Sequence, residues 1–157
     1  MNILLDSNSF NFLFDNQDKI EKIKRNLKFF YILSQEIELN KIKNHQLKHK
    51  LIEIKSTHAN ETAGLFMLNA PCINRNCLFP NDVLIENIKQ VLTKHGCKKN
   101  NREENFNHDL NLAITGYLNN YVILTNDGAK NKKGLYKALK ELNIQCLSHS
   151  EFIEQFL

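Results

Sequence analysis

Three carboxylates in this chain stand where an element boundary would present them. Asp6 follows the apolar run Asn2-Ile3-Leu4-Leu5 and opens Asp6-Ser7-Asn8-Ser9. Asp127 closes Tyr121-Val122-Ile123-Leu124-Thr125-Asn126-Asp127, and Asp109 precedes Leu110, Ala113, Ile114, Tyr117 and Leu118, which recur at helical spacing. Short apolar runs with β-branched residues read as strands buried on both faces of a parallel sheet. In open α/β sheets, ligands bind just outside the carboxyl ends of such strands. Carboxylates brought together there repel one another unless a cation neutralises them. Hard oxygen donors of this kind favour Mg²⁺ or Mn²⁺. Taken singly, each acid has a plainer role, as a helix cap or a turn residue.

The elements that must position these acids can be read in order. Asn2–Leu5 is the first strand, and Ser7 or Asn8 can cap a following helix whose apolar face is Phe10, Leu13 and Phe14. Asn16-Gln17-Asp18 breaks the pattern before a second, amphipathic helix, with Ile20, Ile23 and Leu27 alternating with Lys19, Lys22, Lys24 and Arg25. Phe29 to Leu33 reads as a strand from its aromatic and β-branched content. Ser34 then stands at a natural cap for a helix from Gln35 to Lys43, with Glu36 and Glu38 in its first turns. Asp109 is expected in the first turn of its helix, where the dipole favours a carboxylate, and Asn119-Asn120 ends that helix.

Leu4-Leu5-Asp6-Ser7-Asn8-Ser9-Phe10 resembles the opening of PIN domains, a hydrophobic strand running into Asp-Ser/Thr-Asn. Asp109-Leu110-Asn111-Leu112-Ala113 is similar to that family's Asp-x-x-x-Ala helix start, and Val122 to Asp127 resembles its strand ending in Thr-Asn-Asp. Each motif is short and common; their order and strand context together are more specific, and they cover the two ends of the chain better than its middle. The resemblance implies a metal-dependent ribonuclease, several members of the family being toxins of the VapC type. It also implies a second acid in the helix after the second strand, as Glu followed by Leu. Glu38-Leu39 matches that pattern best, with Glu36 the alternative, and Asn8 and Thr125 would orient carboxylates or water.

The segment from His45 to Pro80 is the least legible. Leu47, Leu51, Ile52 and Ile54 continue a basic amphipathic pattern, Thr57 to Gly64 reads as loop, Leu65 to Leu68 is a short apolar element, and Asn69 to Cys77 has turn chemistry. Asn81 or Asp82 caps a helix through Lys94, stopped by His95-Gly96. Two basic loops flank the acids: Lys98, Lys99 and Arg102 before Asp109, and Lys130, Lys132 and Lys133 after Asp127. The first, which leads directly to Asp109, is the better placed to meet a phosphate backbone, a flexible polar connection being the default reading of such composition. A helix from Leu135 to Leu142, a strand from Ile144 to Leu147 and a helix from Glu151, capped by Ser148 or Ser150, complete the chain.

The 157 residues suit one domain with a real core, and 42% hydrophobic with 24% charged residues is ordinary globular composition. The first residues run into a strand without a basic leader, and no apolar stretch approaches membrane-spanning length, so a soluble cytoplasmic protein with reduced cysteines is expected. Cys72 and Cys77 could form half of a zinc site, but no matching pair accompanies them, and His45 and His49 suit a solvated helix face.

The resulting expectation is a PIN-like three-layer α/β domain with a mostly parallel sheet, spanning the whole chain. It would cleave RNA, with DNA the alternative, through one or two Mg²⁺ or Mn²⁺ ions held by Asp6, Glu38, Asp109 and Asp127. Net charge of +4 fits a basic surface around an acidic pocket. An antitoxin-like protein partner and a homodimer remain open, as does a PIN-like module that binds RNA or protein without cleaving. A haloacid-dehalogenase-type phosphotransferase ranks last, because that chemistry needs a second Asp where Asn8 stands.

Overall fold

The computed structural model describes residues 1–23, 26–32, 35, 43, 48–49, 61–62, 80–97 and 103–157. The expected helix bearing Glu36 and Glu38, the Leu65–Leu68 element, Cys72, Cys77, His45 and the basic residues Lys98, Lys99 and Arg102 lie outside them.

Among the described residues, five strands form one sheet in the order β3-β2-β1-β4-β5: β1 (Asn2–Leu5), β2 (Lys28–Tyr31), β3 (Glu61–Thr62), β4 (Val122–Leu124) and β5 (Cys146–Leu147). Every neighbouring pair is parallel, with Leu5 opposite Leu124 where β1 meets β4. β3 falls where the sequence suggested only loop, and among the described strands it is the outermost beside β2. The chain moves outward from β1 through β2 to β3, then returns to place β4 on the other side of β1. The strand order therefore reverses between β1 and β4, and a crevice opens at the carboxyl ends of those two strands.

Alternation along the strands feeds two cores. Leu4, Phe30, Ile32 and Ile123 point to one face, covered by α3 (Asp82–Lys94), α4 (Glu103–Asn119) and α5 (Leu135–Glu141). Ile3, Leu5, Phe29, Tyr31 and Leu124 point to the other, covered by α1 (Ser7–Asp15), α2 (Gln17–Ile20) and α6 (His149–Phe156). Helices on both faces explain why β1 and β4 read as continuous apolar runs rather than as alternating ones. Among the described residues, no helix is long and apolar enough to cross a membrane.

Several boundaries differ from those expected. Asp6, rather than Ser7 or Asn8, caps α1, its carboxylate accepting the Ser7 amide at 2.6 Å. All three residue types are good caps, so composition could not choose among them. The second helix ends at Ile20 rather than running to Leu27, yet Ile23 and Leu27 still pack against the second core from irregular backbone. On α1, Phe12 is buried and Phe14 is exposed.

The larger correction concerns α4. The helix already includes Glu103, so Asp109 sits in its second turn and not at its positive end. Phe106 is buried one turn before Leu110 and extends the apolar face backwards through a polar stretch of weak helix formers. Asn120, with φ 53°, ends α4 in the left-handed region that Asn tolerates. Asn81 caps α3 through the Leu84 amide, and Ser148 with Glu151 forms a full capping box on α6.

Candidate active site

The end of β1 and the end of β4 are locked together by their own side chains. The Asp6 amide donates to the Leu124 carbonyl at 3.0 Å, which brings the Asp6 side chain beside Thr125. Thr125 donates its hydroxyl to Asp6 Oδ2 at 2.6 Å, and Asn8 Nδ2 donates to the same oxygen at 2.6 Å. Asn8 Oδ1 in turn accepts the Asn126 amide at 3.2 Å, while Thr125 Oγ1 accepts the Asp127 amide at 3.1 Å. The Asp-Ser-Asn and Thr-Asn-Asp stretches thus form one hydrogen-bonded unit, in which Asn8 and Thr125 both orient Asp6.

Above this unit lies a cavity of about 410 Å³, lined by Asp6, Ser7, Asn8, Gly96, Cys97, Asn105, His108, Asp109 and Asp127. Asp6, Asp109 and Asp127 therefore share one cavity although each comes from a different part of the chain. Asp6 is buried, whereas Asp127 is exposed. Burial acts to raise the Asp6 pKa, but hydrogen bonds from His108 and Thr125, the charge of His108 and the Ser7 amide outweigh it and hold the carboxyl below its ordinary value. Asp6 is thus a buried carboxylate whose ionised form the surrounding donors favour.

Asp127 lies in the same unit as Asp6, and Asp109 reaches the cavity from α4. Both act on Cys97, whose thiol is pushed up to about 12 by burial first, then by the charges of Asp109 and Asp127 and by a hydrogen bond to Asp109. The two carboxylates therefore impose negative potential on one point of the cavity. Asp127 also starts α5, since its Oδ2 accepts the Leu135 amide at 2.9 Å and its carbonyl accepts the Tyr136 amide at 2.8 Å.

Sequence reasoning passed over His108, Cys97 and Asn105. His108 is buried, with Nε2 3.4 Å from Ser7 Oγ and 3.8 Å from Asp6 Oδ1. Asn105 lies four residues before Asp109 on α4, a spacing that puts the two on one helix face. That spacing was available in the sequence once the helix was extended backwards. Nothing in the sequence alone flagged Cys97, which follows the Gly96 stop of α3. Behind the cavity floor, Ser9 donates to the Leu124 carbonyl at 2.7 Å and meets His149 Nε2 at 3.1 Å, and His149 stacks on Phe12 with ring centroids 4.2 Å apart.

The lining offers carboxylate oxygens from Asp6, Asp109 and Asp127, hard donors of the kind a divalent cation takes. Among the described residues, no group of three or more His, Cys, Asp or Glu side chains is close enough to hold a metal ion through protein ligands alone. Mg²⁺ needs fewer, because it keeps several waters and takes one or two carboxylates together with substrate phosphates. Lys130, Lys132 and Lys133 are exposed in the loop that follows Asp127. Compared with known proteins, the chain matches no family model and no curated protein.

Proposed function

We propose that this protein is a metal-dependent nuclease of the PIN type that hydrolyses phosphodiester bonds in RNA, acting in the cytoplasm as a toxin or an RNA-processing enzyme. The observation that carries the reading is the convergence of Asp6, Asp109 and Asp127 on one cavity at the point where the strand order reverses. Mg²⁺ or Mn²⁺ would be held by one or two of these carboxylates, with waters and the substrate phosphate filling its shell and Glu38 as a further candidate ligand. Bound there, such an ion supplies Lewis-acid stabilisation of charge developing on the phosphoryl oxygens and activates water for attack. The protein's own part is orientation. Thr125, Asn8 and the Ser7 amide fix the Asp6 carboxylate, Asp127 is fixed through Leu135, and exposed lysines beyond Asp127 attract the phosphate backbone.

One observation favours a second reading, a PIN-like module that binds RNA or a protein partner without cleaving. Both Asp6 oxygens already accept short hydrogen bonds, from Ser7 on one and from Asn8 and Thr125 on the other, so Asp6 has a complete structural role as a cap and strand tie. Incubation of purified protein with labelled single-stranded RNA and DNA, in Mn²⁺ or in EDTA, separates the two. Cleavage in Mn²⁺ that EDTA stops, that Asp109→Asn abolishes and Glu38→Gln lowers, and that Glu36→Ala leaves nearly unchanged, is the expected result. RNA retained without cleavage in either condition would support the binding module.

A further inference from the structure

The loop from Gly128 to Gly134 leaves Asp127 and returns to it. A Cβ on Gly128 would lie 2.5 Å from the Lys133 carbonyl oxygen and 2.6 Å from Gly134 Cα, and one on Gly134 would lie 2.6 Å from Gly128 Cα. The two glycines, at φ 78° and 128°, thus make a backbone-to-backbone neck that no larger residue could form. The neck is tied on both sides of the cavity. Asp127 grips Leu135 and Tyr136 beyond it, and the Gly134 amide donates to the His95 carbonyl at 3.0 Å, immediately before the cavity-lining Gly96 and Cys97. Inside the loop the Asn131 amide donates to the Gly128 carbonyl, so it carries its own turn rather than hanging from its ends. Lys130, Lys132 and Lys133 are exposed upon it.

We propose that this loop is a fixed-offset grip for the nucleic-acid strand beside the cavity, so that the substrate is a strand continuing past the scissile phosphate and not a small phosphodiester. The inference rests on the nuclease reading for its cleavage arm only. The apex of the loop is three residues from its neck, which limits its distance from the neck to about 10 Å. At about 3.4 Å of strand axis per nucleotide, that span reaches phosphates within roughly three nucleotides of the one at the acids. Because the neck is joined to both walls of the cavity, the offset is set by the fold. A strand too short to reach the lysines forgoes their attraction, whereas added length beyond the loop brings no further gain.

The test has two arms. In EDTA, binding of a labelled single-stranded RNA 12-mer is followed against salt for wild type and for the triple variant Lys130→Ala, Lys132→Ala, Lys133→Ala. Each phosphate contact on a single strand contributes about 0.7 to the slope of log affinity against log salt, so the variant is expected to lose about 2 from that slope. In Mn²⁺, wild-type turnover is compared across a dinucleotide, a 4-mer, an 8-mer and the 12-mer, and is expected to rise at least tenfold to a plateau once about three nucleotides flank the cleaved bond. An unchanged salt slope in the variant, or a dinucleotide cleaved as well as the 12-mer, overturns the proposal. No turnover at any length together with the expected loss of slope sinks the nuclease reading and leaves the grip standing.

Discussion

Thr125 Oγ1 lies 2.6 Å from Asp6 Oδ2, although 119 residues separate the two in the chain. The bond joins the ends of two neighbouring parallel strands, and it is made to a buried carboxylate. Deprived of the Thr125 hydroxyl, that oxygen keeps only the Asn8 side-chain donor among the described residues.

Thr125→Val keeps the shape and removes the hydroxyl. Asp6 loses one of its donors and the Asp127 amide loses its acceptor. We expect a loss of roughly 2–3 kcal/mol in unfolding free energy, read from urea midpoints, with Thr125→Ser recovering most of it. A Val variant as stable as wild type would show that Thr125 contributes only packing.

Asp109→Asn should abolish Mn²⁺-dependent cleavage without weakening the fold, since Asp109 is neither a helix cap nor an isolated charge but one of two carboxylates acting on the same point. A readout independent of activity accompanies it. The Cys97 thiol is raised by burial, by the charges of Asp109 and Asp127 and by its bond to Asp109, so removing the Asp109 charge should bring the thiol down from about 12. Iodoacetamide should then alkylate Cys97 faster than in wild type at the same alkaline pH, Cys72, Cys77 and Cys146 being replaced by Ala in both proteins. Equal rates would separate Asp109 from Cys97.

Gln35 is fully buried, accepting the Ile32 amide through Oε1 at 2.7 Å and donating through Nε2 to the Leu5 carbonyl. It acts as a rung between β1 and β2 where regular pairing has ended. Gln35→Leu fills the space but leaves two buried backbone groups unpaired, at about 1–3 kcal/mol each. Thermal unfolding should show a loss of roughly 2–5 kcal/mol. A loss well below 1 kcal/mol would mean the two groups find other partners.

Stability should fall at alkaline pH through Cys146. Burial pushes its thiol up to about 11 from an ordinary 9.0, Lys140 lowering it and Glu151 raising it to lesser degrees. The raised folded value means the unfolded chain gives up its proton first. This contribution is therefore complete below about pH 9 and is lost as pH rises to about 11. Urea midpoints measured across that window should decline less steeply in Cys146→Ala than in wild type; parallel declines would assign the fall to other groups.

What could be read from the chain followed the strength of local signals. β1 and β4 were legible because strands buried on both faces are runs of apolar residues with no competing reading, and α3 because Asn81 and Gly96 mark its ends. The start of α4 was not, since Asn105, Asn107 and His108 are weak helix formers held in the helix by tertiary packing of Phe106. Gln35 carries no sequence mark at all, because a polar residue inside the core is decided by the two carbonyl and amide groups around it. That Asp6 and Asp127 meet was inferable from neighbouring strand ends, whereas the arrival of Asp109 from the second turn of α4 and the part played by His108 and Cys97 depend on which face each helix turns inward. Glu36 and Glu38 lie outside the described residues, so the choice between them stays with mutagenesis.

The Gly128–Gly134 neck also bears on how such a domain could diversify. Since the chain leaves and re-enters at nearly one point, residues could be added between the two glycines at a closure cost of only about 0.6 kcal/mol for each doubling of length, with Asp127 and α5 undisturbed. The stretch between them is in effect an exchangeable cassette. Its sequence could drift or be grafted to change what the domain holds, while the residues that hold the neck shut stay under a constraint set by backbone geometry alone.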